Sequence, residues 1–470
     1  MATKHPKGLY VLFFTEMWER FGFYLLSALM IFYLTERMHF AEDRAAGWMG
    51  NYLALVYLSP FFGGLLADRY LGYRRAVLIG AGLLSAGYFM LAVDSTIALY
   101  AAVGLLVLGN GLFKPNISTQ VGNLYPQGDP RRDSAFSIFY LGINIGAFLS
   151  PFVGEIVRQR YGFPAAFAVA GAGMLISMVI FAGFHHHVAV ANIRSSVAAV
   201  LDIPLPQEYE DPRDPPEVER KRIIAVLIIC GIVMLFWMAF QQNAITLSLW
   251  ARDNTIRTLT LPSLGGKSSS FEIPPGWFQA VNPIFILVLT PLLVWFFGWL
   301  RKYNREPSTP VKIGLGMILT GVSYLFMVGG SLVGGDKGRV SMWWLIVCYF
   351  VITIAELCLS PIGLSLIAKL APRRMTAMLM GVWFIATSIG NKLAGKLAEL
   401  VWPSWPHSRF FALLVASSLI AAVLLKTQLR RLRESMPPEG PPEEKPSLAA
   451  VEQRDTDSAP VATASYGSAG

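Results

Sequence analysis

Three ionisable side chains stand close together in EMWERFGFY, residues 16–24, within a long apolar run. Glu16 lies three residues before Glu19 and four before Arg20, so on a helix it contacts both of them. One guanidinium cannot fully neutralise two adjacent carboxylates, and burial disfavours the charge that remains. One of these glutamates is therefore expected to take up and release a proton, which is the chemistry of an intramembrane proton relay.

Further polar side chains interrupt apolar runs later in the chain. Lys114 stands in GNGLFKPNIS and Glu356 in ITIAELCLSP, both deep inside apolar sequence. A charge at the bilayer centre costs about 2.5–3.5 kcal/mol on insertion scales, so such residues mark ion or substrate paths by default. Asn144 and Asn282 lie in similar runs, where amides often join helices, so a structural role and a site role are both open for them.

The elements that must position these residues are membrane helices. Of the 470 residues, 54% are hydrophobic and 15% are charged, whereas a soluble domain usually carries about 25% charge. About 20 apolar residues suffice for a helix to cross a bilayer. We predict twelve spans, with approximate limits 9–35, 47–68, 75–94, 97–121, 134–157, 164–184, 222–250, 275–300, 311–333, 341–370, 375–400 and 409–429.

Basic residues collect in every second connection between the predicted spans, whereas Glu36, Glu42 and Asp94 lie in the other set. Lysine and arginine predominate on the cytoplasmic side of membrane proteins. Both termini are therefore predicted to be cytoplasmic, as an even number of spans requires, in what we expect to be a bacterial inner membrane. The same bias explains the net charge of +9 without a nucleic-acid partner.

The longest predicted cytoplasmic connection, residues 187–221, is polar and proline-rich and divides the spans six and six. The predicted fold is an all-α polytopic membrane protein with two six-helix bundles, residues 1–186 and 222–433. The tail, residues 434–470, is predicted to be disordered. Three cysteines lie in apolar runs, and the His185–His187 triplet has no fourth ligand nearby in sequence, so we expect no metal or other cofactor.

The motifs resemble those of the proton-dependent oligopeptide transporters of the major facilitator superfamily, from about residue 8 to 430. Residues 16–24 are similar to the family's ExxERFxYY, with Phe23 in place of the first tyrosine. GGLLADRYLGYRRAV, residues 63–77, is similar to the superfamily loop after span two, and FSIFYLGINIGAF, residues 136–148, to a family signature. The resemblance implies a transporter that imports di- and tripeptides with protons by alternating access, and we expect it to function as a monomer.

The resemblance also implies roles for individual residues. A peptide would bind near the midplane between the two halves. The residues that would couple protons are Glu16, Glu19, Arg20, Lys114 and Glu356. Those that would meet the peptide carboxylate are Arg20, Lys114, Tyr24 and Tyr57. Those that would meet its amino group are Glu356, Asn144 and Asn282, while Trp383 would line a pocket that tolerates varied side chains. The loop residues that would control conformation are Asp68, Arg69 and Arg74.

Two departures from the family pattern concern the gate and the linker. Many members pair an arginine in span one with a glutamate in span seven, at the positions of Ser27 and Gln241 here. Both partners are neutral in this chain, so the halves are expected to close through polar contacts near these two residues. Many bacterial members also carry two extra helices between the halves, which a polar linker of this length cannot hold.

Other functions fit the sequence less well. Relatives of the family carry nitrate and other small anions, but Glu356 suits an amine. A drug–proton antiporter is disfavoured because Arg20 and Lys114 would repel a cationic cargo. SLGGKSSS, residues 263–270, superficially resembles a phosphate-binding loop, but the pattern requires glycine where Leu261 stands. An enzyme is therefore not expected; a channel or receptor would be recognised by failure to accumulate peptide against a gradient.

Overall fold

The computed structural model of the protein describes residues 5–125, 129, 131–189, 215–261, 269–336, 338–370 and 375–435. Most of the predicted linker, the tail from residue 436 and all but the end of SLGGKSSS lie outside the described residues. We call residues up to 189 the N-terminal half and residues from 215 the C-terminal half.

The N-terminal half is built from five long helical elements. They are α1 (Lys7–Phe32), α2 (Glu42–Leu66), α3 (Gly72–Leu91), α4 (Thr96–Asn123) and α5 (Arg131–Gly183). Single π-helical turns, Tyr33–Arg37 and Ala67–Leu71, extend α1 and α2. Within α5, Gly162 has φ 84°, a left-handed conformation that favours glycine, so α5 consists of two helical segments joined at a sharp bend.

The described residues of the C-terminal half form seven further helices and some 3₁₀ turns. The helices are α6 (Pro216–Phe240), α7 (Thr246–Asp253), α8 (Val281–Lys302), α9 (Thr309–Val333), α10 (Trp343–Leu370), α11 (Thr376–Val401) and α12 (His407–Ser435). Residues 216–221, which the sequence analysis placed in the linker, are thus already helical. The predicted span 222–250 is interrupted, because the 3₁₀ turn Gln241–Ala244 separates α6 from α7.

Short strands lie in the loops of the C-terminal half, a feature that was not predicted from the sequence. Strand β1 (Thr255–Ile256) pairs in parallel with β4 (Val340–Ser341), and β2 (Thr258–Leu261) pairs antiparallel with β3 (Ser269–Glu272). The β1–β4 pair joins the connection after α7 to the connection before α10, whereas β2 and β3 both lie in the connection between α7 and α8. The protein remains mainly helical, as predicted.

Eight helical segments within the described residues are long and apolar enough to cross a membrane, and two of them, Glu42–Leu91 and Ser134–Gly183, are 50 residues long. These segments confirm a membrane protein with several spans. Neither α1 nor α11 is among the eight. Both helices carry charged side chains that lower their apolar character: Glu16, Glu19 and Arg20 in α1, and Lys392, Lys396 and Glu399 in α11. A helix with charges at this depth needs partners around it rather than lipid, and most of α1 is indeed buried.

Small residues in α5 allow α1 to pack closely. Gly142, Gly146 and Gly154 recur at multiples of four and face α1. A Cβ atom added to Gly146 would lie 2.4 Å from the carbonyl oxygen of Met17, and one added to Gly142 would lie 2.9 Å from the ring of Phe13. Such small-residue stripes are the usual means by which membrane helices approach each other. They hold the charged stretch of α1 against the N-terminal half.

Replacement of Gly146 by alanine should therefore destabilise the protein, because the α1 and α5 backbones must separate to make room for the methyl group. We expect a loss of about 1–3 kcal/mol, measured as a lower midpoint of thermal unfolding in detergent. Gly104→Ala in α4 is the matched control, since nothing lies within 4 Å of its added Cβ. Equal midpoints for the two variants would contradict close α1–α5 packing.

Candidate functional site

A cavity of about 260 Å³ lies between the two halves and is lined by both. The sequence-predicted residues that line it are Glu16, Arg20, Tyr24, Ser27, Tyr57, Lys114, Gln241, Asn282, Glu356 and Trp383. A larger groove of about 340 Å³ lies between α2 and α4. Among the described residues that line it, Ser59 has the only polar side chain and none is ionisable. The chemistry therefore belongs to the central cavity.

The charges of α1 are paired unequally. The Arg20 guanidinium donates two hydrogen bonds to Glu19, from Nε to Oε2 and from Nη2 to Oε1, the latter at 2.6 Å. Glu16 is farther away, with its Oε1 3.4 Å from Arg20 Nε. Within the described chain, the buried Oε2 of Glu16 has no hydrogen-bond partner. Glu19 is thus fully paired by the guanidinium, whereas Glu16 is only partly compensated.

Lys114 and Glu356 lie on different helices of the cavity wall. The Lys114 ammonium sits 4.9 Å from the centre of the Tyr57 ring, a distance suited to a cation–π contact. The carboxylate of Glu356 accepts a hydrogen bond of 2.9 Å from Asn282 Nδ2, which also donates to Thr353 Oγ1 at 3.0 Å. No ion pair joins Lys114 to Glu356 among the described residues, so each charge faces the cavity available to a ligand.

Two predicted site residues lie behind the cavity wall. Glu19 is buried behind Arg20 and does not line the cavity. Asn144 is also buried and is absent from the lining; its Nδ2 donates to the carbonyl oxygen of Tyr140 at 2.9 Å, while Tyr140 itself lines the cavity. Asn144 is thus placed to support a neighbouring wall residue rather than to touch a ligand in this conformation.

The predicted gate residues fall into two groups. Ser27 and Gln241 line the cavity, but no hydrogen bond joins their side chains in the described structure. Asp68, Arg69 and Arg74 are exposed beside the turn that follows α2, away from the cavity. The described structure holds no ion pair between Asp68 and either arginine.

Several cavity residues were not identified from the sequence. Tyr140, Gln279 and Tyr349 line the cavity. Helical spacing from recognised residues was the available signal: Gln279 precedes Asn282 by three positions, and Tyr349 precedes Glu356 by seven, which places each pair on one side of its helix. Gln279 also donates from Nε2 to Ser248 Oγ at 2.7 Å and to the carbonyl of Asn243, which fixes it in the wall.

An ion pair joins the two halves at one end of the protein. Arg252 of the C-terminal half donates to Glu42 Oε1 at 2.6 Å and to Thr35 Oγ1 at 3.1 Å, both in the N-terminal half. Arg158 binds Glu36 Oε2 at 3.0 Å nearby. We call this region the distal end. Burial raises the pKa of Glu36, an effect that Arg158 and Arg252 only partly oppose.

A helix seam between α2 and α11 extends the contact from the distal end towards the cavity. A Cβ atom added to Gly50 would lie 2.4 Å from the Cα of Gly395 across the seam. Ser388 Oγ donates to the carbonyl of Ala54 at 2.7 Å, and Asn391 Nδ2 donates to that of Leu53 at 3.4 Å. The halves are therefore in close contact on the distal side of the site.

Comparison with known proteins adds an independent line of evidence. A model of the POT family matches residues 74–201 and 215–407. The chain is 35% identical to the transporter YclF of Bacillus subtilis, over 90% of this chain and 93% of that protein. It is 31% identical to a di-/tripeptide transporter of Lactococcus lactis subsp. cremoris, over 89% of this chain and 94% of that one.

Solved structures match in fold as well. The crystal structure of a mutant peptide transporter POT in complex with alafosfalin has a TM-score of 0.80 and 32% identity, covering 94% of this chain and 97% of that chain. A tetrameric PepTSo2 crystal structure matches with a TM-score of 0.71 and 26% identity, covering 91% of this chain and 99% of that one. The similarity thus extends over both halves.

Replacement of Arg252 by alanine should open the distal end, because it removes the ion pair with Glu42. The readout is a Ser27→Cys background labelled by a membrane-impermeant maleimide that is added from the distal side. We expect the labelling rate of the introduced cysteine to rise about fivefold, which corresponds to the loss of about 1 kcal/mol of closing free energy. Cys230, Cys348 and Cys358 are buried, so they contribute little background.

The matched control is Arg37→Ala, because Arg37 pairs with Asp94 inside the N-terminal half and should leave the labelling rate unchanged. If the Arg252 and Arg37 variants label equally, the pair with Glu42 does not hold the distal end closed.

Proposed function

The chain belongs to the POT family, and on this basis we propose that it is a proton-coupled symporter that imports di- and tripeptides by alternating access. It is a transporter and not an enzyme. The single observation that carries the proposal is the charge pattern of the central cavity, which presents Arg20 and Lys114 from the N-terminal half and Glu356 from the C-terminal half. The similarity to the di-/tripeptide transporter of Lactococcus lactis supports the same cargo.

A short peptide matches this charge pattern because it is a zwitterion. Its carboxylate is bound by Arg20 and Lys114, with the hydroxyls of Tyr24 and Tyr57 lining the same part of the cavity. A charge-assisted hydrogen bond is about twice as strong as a neutral one, so the two ends of the peptide supply most of the affinity. The side chains of the cargo then need only loose contacts.

The amino group of the peptide is bound by Glu356. Asn282 orients this carboxylate by its 2.9 Å hydrogen bond, which leaves the other carboxylate oxygen for the cargo. Trp383 offers an apolar surface to peptide side chains. Asn144 acts through Tyr140 in our proposal, because the structure buries it behind that residue; direct binding by Asn144, one of the expectations from the sequence, is not part of it.

Glu16 is the proton carrier of the α1 cluster in this proposal. Glu19 is held by two hydrogen bonds from Arg20, whereas Glu16 Oε2 has no partner among the described residues. A buried carboxylate oxygen without a partner is costly, and protonation removes that charge. Glu356 is the second candidate for protonation, since Asn282, which donates a hydrogen bond to its carboxylate, is uncharged. The protons are the coupling ions, and no other cofactor is invoked.

Transport follows from rocking of the two halves about the cavity. Without cargo, Lys114 and Glu356 attract each other across the cavity as it narrows. A peptide carboxylate competes for Lys114, and protonation weakens the remaining attraction, so only the loaded and protonated protein reorients easily. The contacts at the distal end support an inward-facing state. In our proposal a latch forms on the cytoplasmic side only when that side closes, and it consists of Asp68, Arg69 and Arg74.

The proposed architecture has twelve spans in two bundles, residues 1–186 and 222–433. The breaks at Gly72 and Gly162 support this count, because they divide each 50-residue segment into two crossings. Both termini are cytoplasmic in this arrangement, residues 187–221 link the bundles, and residues 434–470 form the tail. The membrane is the bacterial inner membrane.

We propose that the monomer is the unit of transport, because residues from both halves of one chain line the central cavity. The similarity to a tetrameric crystal structure makes oligomer formation a separate question from transport. A nitrate or other small-anion transporter of the same fold is not favoured, since such a cargo leaves Glu356 without a positive partner.

Proteoliposomes test the proposal directly. An inward-directed proton gradient should drive accumulation of labelled Ala-Ala above the external concentration, and unlabelled dipeptide but not nitrate should compete. Equal uptake with and without the gradient, or competition by nitrate alone, would contradict the function.

Two variants locate the chemistry within the same assay. Glu16→Gln should abolish gradient-driven accumulation while preserving exchange of peptide across the membrane, because binding survives and proton transfer does not. Lys114→Ala should raise the KM for peptide about tenfold to a hundredfold, as expected for the loss of a charged contact of about 1.5–3 kcal/mol. Full proton-driven accumulation by Glu16→Gln, or an unchanged KM in Lys114→Ala, would exclude the role given to that residue.

A further inference from the structure

Asn110 connects three helices directly behind the cationic part of the cavity. It lies in α4, one turn before Lys114, and is only 2% exposed. Its Oδ1 accepts a hydrogen bond of 3.3 Å from Arg20 Nη2 in α1, and its Nδ2 donates to the carbonyl oxygen of Val56 in α2 at 2.8 Å. We infer that Asn110 is a positioning residue that sets the place of Arg20 relative to Lys114 and thereby the affinity for the peptide carboxylate.

The bond to Val56 has a cause in the sequence. In a helix, the carbonyl of residue 56 would accept from the backbone N–H of residue 60, but Pro60 has no N–H. An unsatisfied carbonyl inside a membrane protein costs several kcal/mol in principle and is therefore met by another donor. Asn110 Nδ2 fills this position, with a longer bond of 3.3 Å from Ser59 Oγ.

Pro60 thus determines which way the Asn110 amide faces. The Val56 carbonyl only accepts hydrogen bonds, so it must meet the amide nitrogen, and the amide oxygen then faces Arg20. A guanidinium only donates, so this is also the orientation that Arg20 requires. In this orientation both the oxygen and the nitrogen of the Asn110 amide form a hydrogen bond. In the reversed orientation neither atom would have a suitable partner.

The same contact decides which part of Arg20 serves the cavity. Glu19 holds Nε and Nη2, and Asn110 adds a second acceptor to Nη2. In the described part of the chain, Nη1 has no hydrogen bond or ion pair, and Arg20 lines the cavity. Nη1 is therefore the group that meets the peptide carboxylate.

Asn110 also ties the two cations to one another. Asn110 and Lys114 stand four residues apart in α4, on the same side of the helix. The hydrogen bond from Arg20 to Asn110 therefore holds the α1 cation at a set distance from the α4 cation. A carboxylate that bridges both cations depends on this spacing. This inference rests on the proposed function, because it assigns the role through peptide binding.

The test must separate this positioning role from simple satisfaction of the Val56 carbonyl. Asn110→Ala removes both hydrogen bonds, so it should lower the thermal midpoint and raise the KM for Ala-Ala about threefold to tenfold, with little change in maximal rate. Pro60→Ala restores a backbone donor for Val56. The double variant Pro60→Ala/Asn110→Ala should therefore recover the thermal midpoint while its KM stays raised.

A second readout uses a dipeptide whose terminal carboxylate is replaced by an amide. Uptake of labelled Ala-Ala by the wild-type protein should be inhibited far more strongly by unlabelled Ala-Ala than by Ala-Ala amide. The double variant should lose most of that difference. Asn116→Ala is the matched control: Asn116 is a buried α4 amide whose Nδ2, within the described residues, bonds only to the carbonyl of Leu112 in its own helix, at 2.6 Å. Its KM and its selectivity should equal those of the wild type.

Recovery of both the midpoint and the wild-type KM in the double variant would overturn the inference, since Asn110 would then only satisfy a carbonyl. Equal KM increases in Asn110→Ala and Asn116→Ala would overturn it as well. Absence of peptide uptake by the wild-type protein would instead contradict the proposed function and this inference together, so the two failures are distinguishable.

Discussion

The hydrogen-bonded ion pair between Arg20 and Glu19 lies inside a membrane helix, where an unpaired charge is costly. Pairing stabilises both charges, but it uses only some of the guanidinium nitrogens. Glu19 takes Nε and Nη2, Glu16 retains an oxygen without a partner in the described chain, and Nη1 remains for the cavity. A proton site and an anion site thus arise from one arrangement. The close packing of α5 on α1 follows, because a helix with these charges must be enclosed.

The neutral pair Ser27 and Gln241 changes how this protein can close its cavity. Neither side chain bonds to the other in the described structure, and neither adds charge to the wall. Contact between the halves is instead found at the distal end, in the ion pair of Arg252 with Glu42, and along the α2–α11 seam around Gly50. Closure can therefore be perturbed there without touching the residues that meet the cargo or the proton.

The charged part of the site was predictable from sequence, because a buried charge such as Lys114 or Glu356 has few alternatives to a cavity. The helical class was predictable because long apolar runs cross a bilayer as helices, which satisfy their own backbone hydrogen bonds. Contacts between distant residues were not. Asn110 meets Val56 only because Pro60 frees a carbonyl on another helix, and Arg252 meets Glu42 across 210 positions. The residue type of Asn144 indicates a site residue, yet helix packing places its side chain behind the cavity wall.

The most direct measurement is an experimental structure of the wild-type protein with a bound dipeptide at acidic pH. We expect the peptide carboxylate to lie within hydrogen-bond distance of Arg20 Nη1 and Lys114 Nζ, while the amino group contacts Glu356. A peptide bound in the reverse orientation, or one whose carboxylate contacts neither cation, would contradict the claim that the two halves bind the two ends of a zwitterion.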